Sequence, residues 1–339
     1  MKKMVCLALI AALAVSFAFA GGGKDKASNK VVIYTSMYEN VVKSVQEDLR
    51  GAFPKYSIEF VTGGTGRLEH RVEAEKASGR LGCDMLMVAE PSYSLQLKGE
   101  GLLHPYLSNE ATRLAFEYDK EGYWYPVRIN NMVLAFNPAK NARNTLPQSF
   151  YDFAYDAKVS GAIAIRNPSI SGTSMAALAA LKDKYGYEYF NALSRQGIRI
   201  TYGNEGITKL ETGEYKIIMV LEESILQRRE QGYRLEVIYP TDGTIMIPST
   251  IMIINDKWSA NRNAAAAEKI TDWFLGEKGQ HAIVDGWMHS VRIDFPRIPH
   301  DSKPTVDIRE NSIPVHWENH FNEHDEIVSQ FEEQLSNRK

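Results

Sequence analysis

The sequence is poor in cysteine, has no strong excess of either charge, and shows no long apolar run beyond its first twenty residues. Only Cys6 and Cys83 occur among 339 residues, which excludes a disulfide scaffold. The 39 Lys+Arg and 42 Asp+Glu residues give a formal net charge of −3, which argues against a nucleic-acid partner. With 44% hydrophobic residues, the chain is neither collagen-like nor disordered. Cys83 begins the apolar run GCDMLMV, so we expect a buried core residue.

The first twenty residues have the composition of a secretory signal peptide. Two lysines precede an apolar run at 6–17, and Ala18-Phe19-Ala20 is a cleavage motif. Residues 21–29, GGGKDKASN, then read as a flexible leader. Cys6 lies inside the apolar run and not at the cleavage point, which favours a free periplasmic protein over a lipid-anchored one.

From Val31 onward, short β-rich runs alternate with helical periods, in two successive series. The first series contains VVIYT, SIEFV and DMLMVA, and the second contains AIAIR, IRITY, KIIMVL and LEVIYP, with helices between them. This alternation predicts βαβ units and mainly parallel sheets. Because the chain is longer than one hydrophobic core usually serves, we expect an α/β protein of two lobes with a cleft between them.

Two extended segments, 123–138 and 244–256, separate the series and predict strands that cross between the lobes. Lobe 1 is expected to comprise 30–127 plus 249–300, and lobe 2 to comprise 128–248. Two helices, 264–275 and 278–284, should pack back on lobe 1. The segment 301–339 should end in a docking helix, with an apolar face formed by Trp317, Phe321, Val328, Phe331 and Leu335.

Ligands of open α/β sheets bind beyond the carboxyl ends of the strands, so the loops there are the candidate site. Two of these loops each open a helix, whose N–H groups and dipole attract an anion. N-capping alone explains one such loop, but two on opposite lobes favour a ligand cleft. The candidates are Thr35, Ser36 and Tyr38 in the first loop, Gly64, Thr65, Gly66 and Arg67 in the second, and Ser171, Gly172, Thr173 and Ser174 in the third.

Charged residues complete the candidate set. Glu222 and Glu223 begin a helix, where either carboxylate would accept hydrogen bonds from ligand hydroxyls, pair with an ammonium or metal, or serve only as a charged first turn. Arg128 on the first crossing segment would neutralise a bound anion or form an ion pair. Asp242 lies in the turn before the second crossing.

Three histidines, His316, His320 and His324, recur every four residues. On a helix this spacing would allow two of them to bind one metal ion. We interpret them as solvent-exposed side chains beside the docking face. The chain lacks nucleotide loops, H-E-x-x-H and G-x-S-x-G, so no cofactor or enzymatic activity is predicted. A hydrolase using Glu222 or Glu223 as general base would have no accompanying nucleophile motif.

Several motifs together resemble the periplasmic substrate-binding proteins of bacterial ABC importers, in the branch that binds ferric ion, hexose phosphates or aminoethylphosphonate. The motifs are TGGTGRLEHRVEAEK, GEGLLHPY, GYWYPVRINNMVLAFNP, NPSISGTSMAALAAL, KLETGEYKIIMV, YPTDGTIMIPSTIMI and GWMHSVR. The resemblance implies a type II periplasmic-binding fold, a monomer that closes its two lobes on one small solute, and an ABC permease as partner.

The resemblance also narrows the solute. Where the ferric branch carries a Tyr-Tyr pair, this chain has Glu222-Glu223; the branch's histidine falls on Tyr38, and its acidic ligand falls on Ala89 with Glu90 beside it. We therefore expect a small anionic solute, a phosphorylated sugar or a phosphonate. The alternative is a ferric receptor with Glu90, Glu222, Glu223 and Tyr38 as ligands. A polyamine or thiamine receptor would use the carboxylates but leave the glycine-rich loops without a charged partner.

Overall fold

The structure, a computed structural model, describes residues 29–336. The expected signal peptide and nearly all of the leader lie outside the described residues. Within them, the predicted strands and helices of both series are confirmed, with small differences at their ends.

The first half of the molecule is a parallel βαβαβ unit. Its strands are β1 (Lys30–Thr35), β2 (Ser57–Thr62) and β3 (Met85–Ala89), and its helices are α1 (Glu39–Ala52), α2 (Thr65–Ala77) and, after β3, α3 (Ser92–Gly99). In α1 the apolar residues Val41, Val45 and Leu49 recur at helical spacing and are buried, so one face of the helix covers the sheet.

The second half repeats this arrangement with different connections. It begins with helix α4 (Phe150–Tyr155) and contains β5 (Ile163–Arg166), α5 (Gly172–Tyr185), α6 (Glu188–Arg195), β6 (Arg199–Thr201), α7 (Glu205–Thr212), β7 (Ile217–Leu221), α8 (Glu222–Glu230) and β8 (Glu236–Ile238). Strand β5 pairs in parallel with β6 and β7. The alanine-rich α5 is buried on nearly every side, which fits a helix without a polar face.

Two long strands, β4 (Trp124–Phe136) and β9 (Ile245–Ile253), join the halves. They pair antiparallel with each other, β9 also pairs with β3, and the end of β4 pairs with β7 and β8. The order is β2-β1-β3-β9-β4-β7-β5-β6. The expected crossing strands are therefore part of one continuous mixed sheet that hydrogen-bonds the two parallel halves together.

Alternating side chains of the strands supply apolar cores on both faces of this sheet. Val31 and Ile33 pack towards α1 and the later helices, whereas Val32 and Tyr34 pack on the opposite side. In the second half, Leu134 packs into one core and Val133 into the other. Cys83 is free and buried, as expected.

The chain after β9 returns to both halves. Helices α9 (Ala264–Leu275) and α10 (Glu277–Asp285) pack in the core that includes α1, as predicted for lobe 1. After α11 (Thr305–Glu310), the last helix, α12 (Trp317–Ser336), contacts α5 and α6 of the second half and α3 of the first. No helix in the described part of the chain combines the length and apolar character needed to cross a bilayer.

The apolar face of α12 differs from the predicted one at Phe321. Ile327 and Phe331 are buried in the core of the second half, but Phe321 is 39% exposed. At about 100° per residue, Phe321 is rotated by about 80° from Phe331, which turns it off the buried stripe. The prediction that Phe321 shares the docking face is wrong.

Candidate ligand-binding cleft

A cleft lies where the carboxyl ends of strands from both halves meet. Its cavity volume is about 40 Å³, and an inner pocket of about 40 Å³ that shares Tyr38, Arg166 and Thr173 with it is lined further by residues of β5 and β7. The residues that line the cleft are Ser36, Tyr38, Gly64, Thr65, Ala89, Arg128, Asn130, Arg166, Ile170, Ser171, Gly172, Thr173, Leu221 and Glu223. This is the position at which open α/β sheets bind ligands.

Two helix N-termini open into the cleft from opposite halves. Helix α2 begins after Gly64, which has no side chain to cap its N–H groups, and α5 begins after Ser171, whose Oγ accepts from the backbone N–H of Ser174 at 3.3 Å. The loops touch: a Cβ on Gly66 would lie 3.1 Å from Cα of Ile170. A side chain there would crowd the other loop, so glycine at position 66 lets the two halves approach each other backbone to backbone.

Two guanidinium groups reach the cleft. Arg128 of β4 is buried, donates through Nη2 to Ser36 Oγ at 3.0 Å, and has no partner for Nε among the described residues. Burial lowers its pKa to about 10, which leaves it charged at neutral pH. Arg166, the last residue of β5, also lines the cleft with a buried, unpartnered Nε. Sequence reasoning missed Arg166, although its place at a strand's carboxyl end was a usable signal.

A carboxyl group and a phenol face these cations. Glu223 accepts from Asn130 Nδ2 at 2.5 Å, and burial raises its pKa to about 7. Tyr38 is hydrogen-bonded to Ser224 Oγ at 2.8 Å, which joins the first half to the second. Burial and the nearby charge of Glu223 raise the pKa of Tyr38, so it is a neutral phenol. The cleft thus holds hydrogen-bonding groups opposite its two cations.

The structure brings most of the predicted site residues together. Those lining the cleft are Ser36, Tyr38, Gly64, Thr65, Arg128, Ser171, Gly172, Thr173 and Glu223, and Ser174 lines the inner pocket. Thr35 is fully buried beneath them, with its Oγ1 accepting from the N–H of Met37 at 3.1 Å. Gly66 lies at the contact of the two loops.

Glu222 lies elsewhere, although it is adjacent to Glu223. Its Oε2 accepts from Asn131 Nδ2 at 2.8 Å and is 3.0 Å from His289 Nε2; its Oε1 accepts from Tyr239 and Ser302. Burial alone would raise the pKa of Glu222, but these hydrogen bonds, led by that of His289, lower it below its usual range. The carboxylate is fully occupied within the protein, so it does not face a ligand in the cleft.

Glu90 also points away from the cleft. It follows β3 with a left-handed backbone (φ 69°), accepts from the N–H of Ser92 at 2.8 Å, and pairs with His320 Nδ1 at 3.3 Å. His320 is therefore buried against a carboxylate, and the interpretation of the three histidines as exposed is wrong for this one. His316 is exposed and His324 half-buried.

Asp242 and Arg67 are likewise placed outside the cleft. The carboxylate of Asp242 accepts from the backbone N–H groups of Phe150 and Tyr151, each at 3.0 Å, and from the Tyr185 hydroxyl at 2.7 Å. It holds the start of α4 in place. The side chain of Arg67 is exposed on α2.

The carboxylates of the ferric alternative are thus divided among three environments. Glu90 pairs with His320, Glu222 with His289, and only Glu223 lines the cleft with Tyr38. Across residues 29–336, no group of three or more His, Cys, Asp or Glu side chains is placed to hold a metal ion.

The chain belongs to the family described as bacterial extracellular solute-binding protein, whose profile matches residues 83–319. Such proteins are the periplasmic solute-binding receptors of ABC importers, so a small-molecule ligand and an ABC permease are the partners of this chain. Proteins of this family are periplasmic or exported, and family and fold are those of transport receptors. No curated protein matches the chain by sequence.

Solved structures show the same type II periplasmic-binding fold. AfuA from Actinobacillus pleuropneumoniae, with fructose-6-phosphate bound, is 20% identical with a TM-score of 0.79, over 91% of this chain and 100% of that one. Iron-bound HitA from Pseudomonas aeruginosa is 18% identical with a TM-score of 0.77, over 90% and 99%. The ferric binding protein from Campylobacter jejuni is 18% identical with a TM-score of 0.74, over 90% and 99%. At these identities the likeness establishes the fold and leaves the solute open.

Proposed function

We propose that this receptor captures a small organic anion carrying a phosphoryl or phosphonate group and delivers it to its permease. The observation that carries the proposal is the convergence of Arg128, Arg166 and two helix N-termini on one cleft. Guanidinium groups and helix N-termini are the donors that proteins use for phosphate oxygens.

The charge of the cleft supports an anion. Arg128 and Arg166 contribute two positive charges at neutral pH, whereas Glu223, with its pKa of about 7, is only partly ionised. Buried charges are stable when they are paired, and the unpartnered Nε atoms of both arginines are donors available to a ligand. A phosphoryl group would supply the missing negative charge and the acceptors.

The opposite wall suits the remainder of the solute. Glu223, Asn130 and Tyr38 offer a carboxyl oxygen, an amide and a hydroxyl within one part of the cleft. These groups fit ligand hydroxyls or an amine, as on a sugar phosphate or an aminoalkylphosphonate. Closure would then involve the contact between the loops at Gly66 and Gly172.

In this proposal the two lobes have the boundaries expected from the sequence, with 30–127 plus 249–300 forming one lobe and 128–248 the other. The receptor acts as a monomer. The ferric function is the second candidate, favoured by the iron-bound HitA fold neighbour. It would require Glu90 and Glu222 to leave their partners His320 and His289, which makes the anion the better-supported solute.

The proposal is tested by measuring thermal stabilisation and calorimetric affinity with sugar phosphates, aminoalkylphosphonates, inorganic phosphate, unphosphorylated sugars and ferric citrate. We expect stabilisation by a phosphorylated or phosphonate solute only. Arg166→Gln should weaken that solute by about 10- to 100-fold, because a charge-assisted hydrogen bond contributes about 1.5–3 kcal/mol. Arg199→Gln, on the exposed side of neighbouring β6, is the matched control and should leave affinity unchanged. Strong stabilisation by ferric citrate without any by phosphorylated solutes would overturn the assignment.

A further inference from the structure

A second cavity, the acidic pocket, lies between α2, α3 and α12 and is lined by residues other than those of the cleft. Its cavity volume is about 460 Å³, and it is partly open to solvent. Helices α2 and α3 belong to the first half, whereas α12 packs mainly on the second. The pocket therefore has walls from both halves.

Its lining is strongly acidic. Its titratable lining residues are the acids Glu69, Glu73, Glu90 and Asp325, the histidines His70 and His324, and Tyr93, and among the described lining residues none is Lys or Arg. Three of these carboxylates have a basic side chain as a partner: Glu73 pairs with Lys76 at 2.7 Å, Glu90 with His320, and Asp325 with His324 at 3.1 Å.

Glu69 differs from the other three. Burial raises its pKa to about 8, and the charges that act on it are those of Glu90 and Glu73, both of the same sign. A carboxyl group in such surroundings stays protonated at neutral pH, and a bound cation would favour its ionised form. Across residues 29–336, Glu69 is thus a pocket acid that forms no ion pair.

Tyr93 gives an independent indication of a ligand. The residue is only 6% exposed, it lines the pocket, and its hydroxyl has no hydrogen-bond partner among the described residues. A buried hydroxyl without a partner costs stability, so a group that donates to it or accepts from it would be stabilising. Phe321, whose exposure was unexpected, adds an aromatic face at the rim.

We propose that the acidic pocket binds a small organic cation with primary ammonium groups, a linear diamine or polyamine. Each ammonium has three donors, which match the oxygens of Glu69 and Tyr93, and an alkyl chain and its charge pack well against an aromatic ring such as Phe321. A bare metal ion fits less well, because the carboxylates and histidines do not converge on one point within the described residues.

The experiment uses putrescine as probe, with 1,4-butanediol as the uncharged analogue and Mg²⁺ and Zn²⁺ as metal alternatives, in calorimetry at pH 7 with buffers of different ionisation enthalpy. We expect putrescine to bind with release of close to one proton, because Glu69 must ionise to pair with it. Glu69→Gln should abolish the proton release and weaken binding at least tenfold, and Tyr93→Phe should weaken it several-fold. Glu47→Gln, which replaces an exposed carboxylate on α1, is the control and should change neither.

Different results would overturn the proposed ligand class and the proposed site. No heat with putrescine, equal binding of butanediol, or binding of a metal ion alone would overturn the ligand class. Loss of putrescine binding in Glu223→Gln but not in Glu69→Gln would place the amine in the cleft and overturn the site. Because the proposal is independent of the anion in the cleft, the sugar-phosphate affinity measured with the same Glu69→Gln protein distinguishes the two: it should stay unchanged.

Discussion

Glu222 and Glu223 are neighbours in the chain, but the structure predicts opposite consequences when each is replaced by glutamine. Both side chains are buried. Glu222 accepts hydrogen bonds on both of its oxygens, whereas Glu223 accepts one from Asn130 and has a raised pKa. Their comparison tests whether the site was correctly divided into a structural and a ligand-facing carboxylate.

Glu222→Gln places an NH₂ group against donors that now bond to a carboxylate oxygen. Whichever way the amide is turned, one of the two pairs, Asn131 with His289 or Tyr239 with Ser302, loses its acceptor. Breaking hydrogen bonds in a buried network costs about 2–4 kcal/mol, so the free energy of unfolding at pH 7.5 should fall by that amount. The stabilisation that ionised Glu222 gives the wild-type protein should fade as the pH drops through its folded-state pKa, which is lowered below its ordinary value of 4.5.

Glu223→Gln should instead raise the free energy of unfolding of the ligand-free protein. Because the carboxyl pKa is raised from 4.5 to about 7, the folded state is destabilised relative to the unfolded state as the pH rises above 4.5, and this cost levels off above pH 7. At about 1.4 kcal/mol per unit, the cost rises from about 1 kcal/mol at pH 5 to about 3 kcal/mol at pH 8. The glutamine variant avoids this cost and keeps an acceptor for Asn130, so its stability advantage over wild type should grow from pH 5 to about pH 7 and then level off.

The assay is urea-induced unfolding followed by tryptophan fluorescence between pH 5 and 8, with the two variants and wild type side by side. Equal stability of Glu222→Gln and wild type at pH 7.5 would refute the account of the Glu222 network. A Glu223→Gln protein whose stability relative to wild type falls as the pH rises would refute the account of Glu223.

Two further substitutions test the packing of α12 and the meeting of the two loops. Phe331→Ala should lower the free energy of unfolding by about 3–5 kcal/mol in urea titrations, because Phe331 is buried. Phe321 is exposed on the same helix, so Phe321→Ala should lower it by less than about 1 kcal/mol. Equal effects of the two substitutions would contradict the packing described. Gly172→Ala would place a Cβ 3.0 Å from Thr65 Cγ2 and should weaken binding of the best-bound sugar phosphate about tenfold in calorimetry. Gly51→Ala, whose Cβ would have no atom within 4 Å, is the control; it should leave that affinity unchanged and stabilise α1 by about 0.5–1 kcal/mol. Unaltered affinity in the Gly172→Ala protein would mean that the loops need not meet.

Much of the fold follows from local pattern. The β-rich runs and helical periods predicted the strands and helices of both halves because alternation and helical spacing are properties of neighbouring residues. The pairing of β4 with β9 joins segments more than 100 residues apart, and no local pattern contains it. The single continuous sheet therefore became visible only in the structure.

The candidate site was predictable by location and less so by residue. The loops at the carboxyl ends of strands correctly predicted Gly64, Ser171 and Glu223 as cleft residues. Glu222 is the same residue type as Glu223, but it is rotated from Glu223 by about 100° around the helix axis and faces His289. His320 looked exposed because its neighbours are polar, yet Glu90, 230 positions earlier, provides its buried partner. Such partners are set by tertiary packing.

The most direct test of the central claim is native mass spectrometry of gently purified protein, recorded before and after denaturation. We expect an organic phosphate or phosphonate of a few hundred daltons that is released on denaturation and is absent from the Arg166→Gln protein. Retained iron without an organic phosphate or phosphonate would contradict it.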